Sequence, residues 1–117
     1  MGDRANVYVH DGDKPGVYLY THWTGSDLPS IVYLSLSSKR GQARDNDIAY
    51  LTRIVFEDML SESLGSETGF GISTEIQDGG DRIVDLDVNF NYGWIMTLIG
   101  YEEDYPDSVV YAGMWHR

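Results

Sequence analysis

The stretch "DRIVDLDVNFNYGW", residues 81–94, sets Asp85, Asp87 and Asn89 on every second residue, interleaved with Val84, Leu86, Val88 and Phe90. Strict alternation of this kind is the pattern of a half-buried strand, with one face apolar and the other polar. How this strand pairs decides what the acids face. The upstream segment "GFGISTEI", residues 69–76, alternates in the same way, with "QDGGD" between the two. A three-residue loop of Gly79, Gly80 and Asp81 would align Ile76 with Val84, Thr74 with Leu86, Ile72 with Val88 and Phe70 with Phe90. Glu75 would then oppose Asp85, and Ser73 would oppose Asp87. A two-residue turn at Gly79-Gly80 mixes core residues with charge, because a one-residue slip exchanges the faces of a strand.

The expected register crowds three carboxylates onto the water-facing side. Like charges opposed across a ladder are mildly destabilising, so a cation, from a metal or from a basic protein, would relieve them. The calcium-loop reading of "DLDVNFNYGWIM" fails at Phe90, where glycine is required, and at Met96, where the bidentate glutamate belongs. A catalytic carboxylate pair needs a cleft that separates two pKa values, which an open sheet face rarely supplies. The functional expectation is therefore an acidic contact face of Glu75, Asp85, Asp87 and Asn89. The turn "YEEDYPD" extends it with Glu102, Glu103 and Asp104 among Tyr101 and Tyr105. The alternative is a solvated face that serves solubility.

Downstream, "YGWIMTLIGY" and "SVVYAGMWH" continue the alternation, which predicts a four-strand antiparallel meander over residues 69–116. Upstream, "NVYVH" and "GVYLY" flank the turn-rich "DGDKPG" and predict an N-terminal hairpin. In "SDLPSIVYLSLSSKRG", Pro29 after Ser26-Asp27 suits the first turn of a short helix, although Val32, Leu34 and Leu36 alternate as in a strand. "DNDIAYLTRIVFEDMLSES" is the clearest helix. Asp45, Asn46 and Asp47 offer capping oxygens, Ile48, Leu51, Val55, Phe56 and Met59 share one face, and Gly65 is a stop. The order ββααββββ defines a single α+β domain over 1–117, an antiparallel sheet with one long and one short helix on one face.

Composition narrows the function classes. At 117 residues with 42% hydrophobic and 23% charged residues, the chain can build one core. Without cysteine it has no disulfide or thiolate metal site. No signal peptide or apolar run of membrane-spanning length is visible, so a soluble, cytoplasmic protein is expected. Residues 1–56 carry six acids and six bases, while residues 57–117 carry thirteen acids and two bases, which accounts for the whole net charge of −11. That disfavours direct nucleic-acid binding and anionic membranes, and favours a basic protein surface as partner. A nucleic-acid-binding host protein is one such partner, since carboxylate rows can occupy sites built for phosphates. Trp94, Met114 and Trp115 are candidates for packing within the chain or in a homodimer. No cofactor is expected.

A second candidate lies at the mouth of the N-terminal hairpin. Pairing across "DGDKPG" gathers Asp3, Arg4, His22 and Trp23, with Asn6 nearby. His22 beside an aspartate could act as a general base and Arg4 could hold an anion, giving a small-ligand binder or a hydrolase-like enzyme. The competing reading pairs Arg4 with Asp3 and makes Trp23 a core aromatic. His10 and His116 fall elsewhere, which leaves no three-histidine metal set. "GSETGFG" leads into a strand and lacks the lysine of a phosphate loop.

The segments "MGDRANVYVH", "YLYTHW", "SDLP", "AYLTRIVF" and "ETGFGIST", in this order, resemble a family of short uncharacterised proteins of phages and bacteria. The likeness runs to about residue 75 and fades from "EIQDGGD" onward. It implies a standalone protein of a mobile element and carries no enzyme activity. A shared function would sit at Asp3, Arg4, Asn6, Thr21, His22, Trp23, Glu67, Gly69 and Gly71, away from the acid row.

Overall fold

The computed structural model describes residues 2–44, 47–61, 65, 67–77, 81–89, 93–103, 105 and 110–114. Among them are strands β1 (Ala5–His10), β2 (Val17–Thr21), β3 (Phe70–Ser73), β4 (Ile83–Asn89), β5 (Gly93–Ile99) and β6 (Val110–Met114). Helices α1 (Leu28–Ser37), α2 (Lys39–Gln42) and α3 (Ile48–Leu60) lie between β2 and β3, with a 3-10 turn at Gly25–Asp27 before α1. The fold is α+β, with a six-stranded sheet in the order β3-β2-β1-β4-β5-β6.

The expected hairpin between residues 70 and 90 does not form. β4 pairs in parallel with β1, aligning Val7 with Val84 and Val9 with Leu86. β3 pairs instead with the far side of β2, aligning Ile72 with Leu19. The sheet is thus mixed, not antiparallel, and the meander has three strands, β4-β5-β6, not four. The physical reason is burial. β3 pairs over only four residues and lies at the sheet's edge, whereas β4 lies in the interior, with five residues aligned on β1 and seven on β5. Its apolar residues Val84, Leu86 and Val88 then reach 0% exposure.

Register keeps the apolar residues on one face. Leu19, Val7, Val84 and Leu98 form one row across four strands, and Val9, Leu86 and Met96 form the next. The helices cover this face. α1 resolves its ambiguous pattern as a helix: Leu28, Val32 and Leu36, spaced by four, are buried, while Leu34 is 66% exposed. Pro29 occupies the first turn, where its missing N–H costs nothing. In α3, Asp47 caps the helix by accepting from the Tyr50 N–H at 3.1 Å, and Leu51, Val55 and Met59 face the core. Asp45 and Asn46 lie outside the described residues. The helix ends at Leu60, before the expected stop at Gly65. The Ser35 hydroxyl, buried in α1, donates to Asp58 of α3 at 2.6 Å and ties the two helices together. The short α2 was not expected; the Ser38 hydroxyl caps it by accepting from Gly41 N–H.

Trp94 is 6% exposed and packs within the chain, edge-on to Tyr33 with ring centroids 5.8 Å apart. The side chain of Met114, and Trp115 altogether, fall outside the described residues. The opposite face of the sheet carries Tyr8, His10, Tyr18, Asp85, Asp87, Ile95 and Ile99; Ile95 and Ile99 are 49% and 47% exposed. No described helix is long and apolar enough to cross a membrane.

The two faces should respond differently to truncation. Leu86→Ala should lower stability by about 2–5 kcal/mol, and Ile95→Ala by no more than about 0.5 kcal/mol, in equilibrium urea unfolding. Equal losses would show that the face carrying Ile95 is packed.

Candidate contact face and hairpin mouth

Asp85 and Asp87 project from β4 on the face the helices leave open. Their parallel neighbours on β1 are Tyr8 and His10, and their antiparallel neighbours on β5 are Thr97 and Ile95. The His10 ring lies over Tyr8, with centroids 4.8 Å apart, and Tyr8 lies over Tyr18 at 4.4 Å. This stack delivers His10 Nε2 to Asp85 Oδ1 at 2.6 Å. The other ring nitrogen, Nδ1, sits 2.8 Å from the Gly12 carbonyl. Asp87 Oδ1 accepts from the Gly12 N–H at 2.9 Å. Both polar groups of Gly12 are thereby tied to the sheet.

The protonation state follows from the partners. A carbonyl can only accept, so Nδ1 carries a proton. Nε2 faces a carboxylate, so it carries one too when Asp85 is ionised. Burial alone would push the His10 pKa down. The hydrogen bonds to Asp85 and Gly12, with the charges of Asp85 and Asp87, outweigh it and hold the pKa above its ordinary value.

The expected acid row is only partly assembled. Asp85 and Asp87 are side by side, but Glu75 does not oppose Asp85, nor Ser73 Asp87, because β3 pairs with β2. Ser73 lies in line with Tyr18, Tyr8 and Asp85, three strand spacings or about 14 Å away. Glu75 is exposed beyond the end of β3. Glu102 and Glu103 are exposed in the turn after β5, at the end of the sheet where Ile99 meets Ile83, not at the Asp87 end. Asp104 and the side chain of Asn89 lie outside the described residues. Asp85–Asn89 is strand backbone and not an ion-binding loop. Among the described residues, no three His, Asp or Glu side chains converge as a metal site.

The hairpin mouth gathers as expected, with different partners. The Asp3 N–H donates to the His22 carbonyl at 2.6 Å. Asp3 pairs with Arg82, from the start of β4, and not with Arg4. Asp3 Oδ2 and Oδ1 also accept from the Ser26 N–H and hydroxyl, both at 3.0 Å. Arg82 donates further to the Arg4 carbonyl, through Nη2 at 2.8 Å and Nε at 3.2 Å. Burial would raise the Asp3 pKa, but the bonds from Arg82 and Ser26 and the Arg82 charge outweigh it, and the net direction is down. Asp3 is thus committed to joining β1, β4 and the 3-10 turn.

Arg4 instead donates from Nε to His22 Nδ1 at 3.1 Å. Trp23 is no core aromatic: it is 56% exposed and stands edge-on to His22, with centroids 4.2 Å apart. Asn6 is fully buried and exchanges hydrogen bonds with the Gln77 backbone at 3.2 and 3.3 Å, which removes it from the mouth's surface. A cavity of about 380 Å³ lies apart from both candidates, between α1 and the β5–β6 edge, lined by Pro29, Ser30, Tyr33, Leu34, Met96, Tyr105 and Tyr111.

Sequence reasoning missed His10 and Arg82. Arg82 carried a signal, being one of two bases in the acidic half. His10 falls on the same alternating face as Tyr8, but its partner became visible only with the parallel pairing. Comparison with protein-family models, curated proteins and solved structures returns no match.

Two pH responses follow. The His10 pKa read by NMR should lie above 6.5 and fall in Asp85→Asn. Because folding raises this pKa, its contribution to stability is complete below the unfolded value and is lost as pH rises through the folded one. Asp3 has the opposite sign. Its contribution is present above the ordinary value of 3.8 and is lost as pH falls through the lowered one. Chemical unfolding across pH in wild type, Asp85→Asn and Asp3→Asn separates the two.

Proposed function

We propose that this chain is a small acidic interaction protein whose open sheet face takes a basic protein surface. One observation carries the reading: Asp85 and Asp87 share that face with Tyr8 and with Ile95 and Ile99, which are about half exposed at 49% and 47%. Large apolar residues in water beside tyrosines and carboxylates combine desolvation energy with charge complementarity. His10 sets one positive charge against two carboxylates, so the cluster stays net negative even with the imidazole protonated. The surplus of −11 draws a basic partner from a distance.

The particular form we propose is a phage-type inhibitor that occupies the nucleic-acid-binding surface of a host defence or DNA-binding protein. The resemblance of the first 75 or so residues to phage and bacterial proteins supports that setting. The uneven charge supports the mimicry, because the acids are concentrated in the half that contains β4 and β5.

The test is recovery of partners from host lysate at low salt, followed by titration of the purified partner. The double variant Asp85→Asn/Asp87→Asn should weaken binding by about tenfold or more, and Ile95→Glu should weaken it through lost apolar contact. Raising salt should weaken wild type more than the double variant. Binding that ignores salt and all three substitutions would reject the face.

A further inference from the structure

The hairpin mouth holds a guanidinium that bonds a histidine and, among the described residues, pairs with no carboxylate. In a chain with 19 acids and 8 lysines and arginines, a base should find a carboxylate easily. Lys14, Arg40, Arg53 and Arg82 each do, whereas Arg4, Lys39 and Arg44 have none among the described residues, and Arg44 lies over the Tyr50 ring. Arg4 is exposed, has no carboxylate partner among the described residues, and makes its side-chain bond to His22 Nδ1. That bond uses Nε, and the two Nη groups of the exposed side chain are the edge with which a guanidinium recognises phosphate. Asp3, its neighbour in the chain, is already matched by Arg82.

Beside this cation stands an indole in water. Trp23 is 56% exposed, and one imidazole separates it from Arg4. Two glycines back the rings. A Cβ at Gly69, whose φ is +97°, would collide with the Trp23 indole, and a Cβ at Gly2 would collide with the His22 ring. Tyr20 reinforces the arrangement, its hydroxyl lying 3.2 Å from His22 Nδ1. With that nitrogen accepting from Arg4, His22 orients the guanidinium and its Nδ1 lone pair is not free to serve as a base.

We propose that Arg4, His22 and Trp23 form a binding site for a nucleoside monophosphate, in which the base stacks on Trp23 and the phosphate takes the Nη edge of Arg4. The pairing of an exposed indole with an exposed guanidinium calls for a ligand that is both planar and anionic. Their closeness calls for ring and charge within one small molecule. The site lies at the opposite end of the sheet's open face from Asp87 and does not depend on the contact-face reading.

The test is NMR titration of the intact protein with AMP, adenosine, ribose 5-phosphate and inorganic phosphate, following the Trp23 indole N–H. AMP should bind most tightly and move that signal. Arg4→Gln should reduce AMP to the affinity of adenosine, and Trp23→Ala should weaken AMP by about ten- to a hundredfold. Gly69→Ala, which displaces the indole, should weaken it as well; an unchanged amide spectrum away from the mouth verifies the fold of each variant. The proposal fails if adenosine or ribose 5-phosphate binds as well as AMP, or if Arg4→Gln leaves AMP affinity unchanged. It also fails if only a 5′-phosphorylated oligonucleotide binds.

Discussion

The parallel seam between β1 and β4 is the constraint on which the structure depends. It joins the N-terminal hairpin to the C-terminal meander and sets Tyr8 beside Asp85 and His10 beside Asp87 on the open face. Its interior is apolar, with Val7, Val9, Val84 and Leu86 at no more than 1% exposure. Its ends are polar and charged. At one end Arg82 reaches Asp3 and the Arg4 carbonyl, and at the other His10 reaches Asp85 while Asp87 holds the Gly12 N–H. Apolar burial draws the halves together without preference for register; the two polar ends select one alignment out of several that would bury the same side chains.

Much of the fold was legible in the alternation of residues. The N-terminal hairpin, the two longer helices, the β4-β5-β6 meander and the inward direction of Val84, Leu86 and Val88 all follow from local pattern. The partner of β4 does not. A strand's sequence shows which face is greasy, but its backbone groups are the same whichever strand they meet. Proximity along the chain favoured β3, but β3 pairs over four residues with β2, and β4 aligns five residues with β1. The helix α1 illustrates the opposite case: alternation and helical spacing coexist in its sequence, and Pro29 identified the helix correctly.

The candidate sites divide along the same line. Asp3, Arg4, His22 and Trp23 come together because a hairpin register is local, so their meeting could be read directly. Their partners could not, because Arg82 arrives across the seam and takes Asp3, which frees Arg4 for His22. The acid row was read correctly as to face and wrongly as to company. Glu75 belonged to a hairpin that does not exist, while His10, from a strand 75 residues earlier, occupies the place beside Asp85.

The seam also dictates an order of assembly. The N-terminal hairpin and the meander are each built from contacts between chain neighbours, but the contacts that unite them span some 75 residues. Closing so long a loop carries an entropic barrier that local pairing avoids. Until it closes, β1 and β4 each present an edge of unpaired backbone N–H and C=O groups, and the growing chain must carry β1 in that condition until β4 has been synthesised. The positive charge of Arg82, set one residue before β4 in the acidic half, and the aspartate near the start of the chain that receives it therefore give the late-arriving strand an electrostatic address.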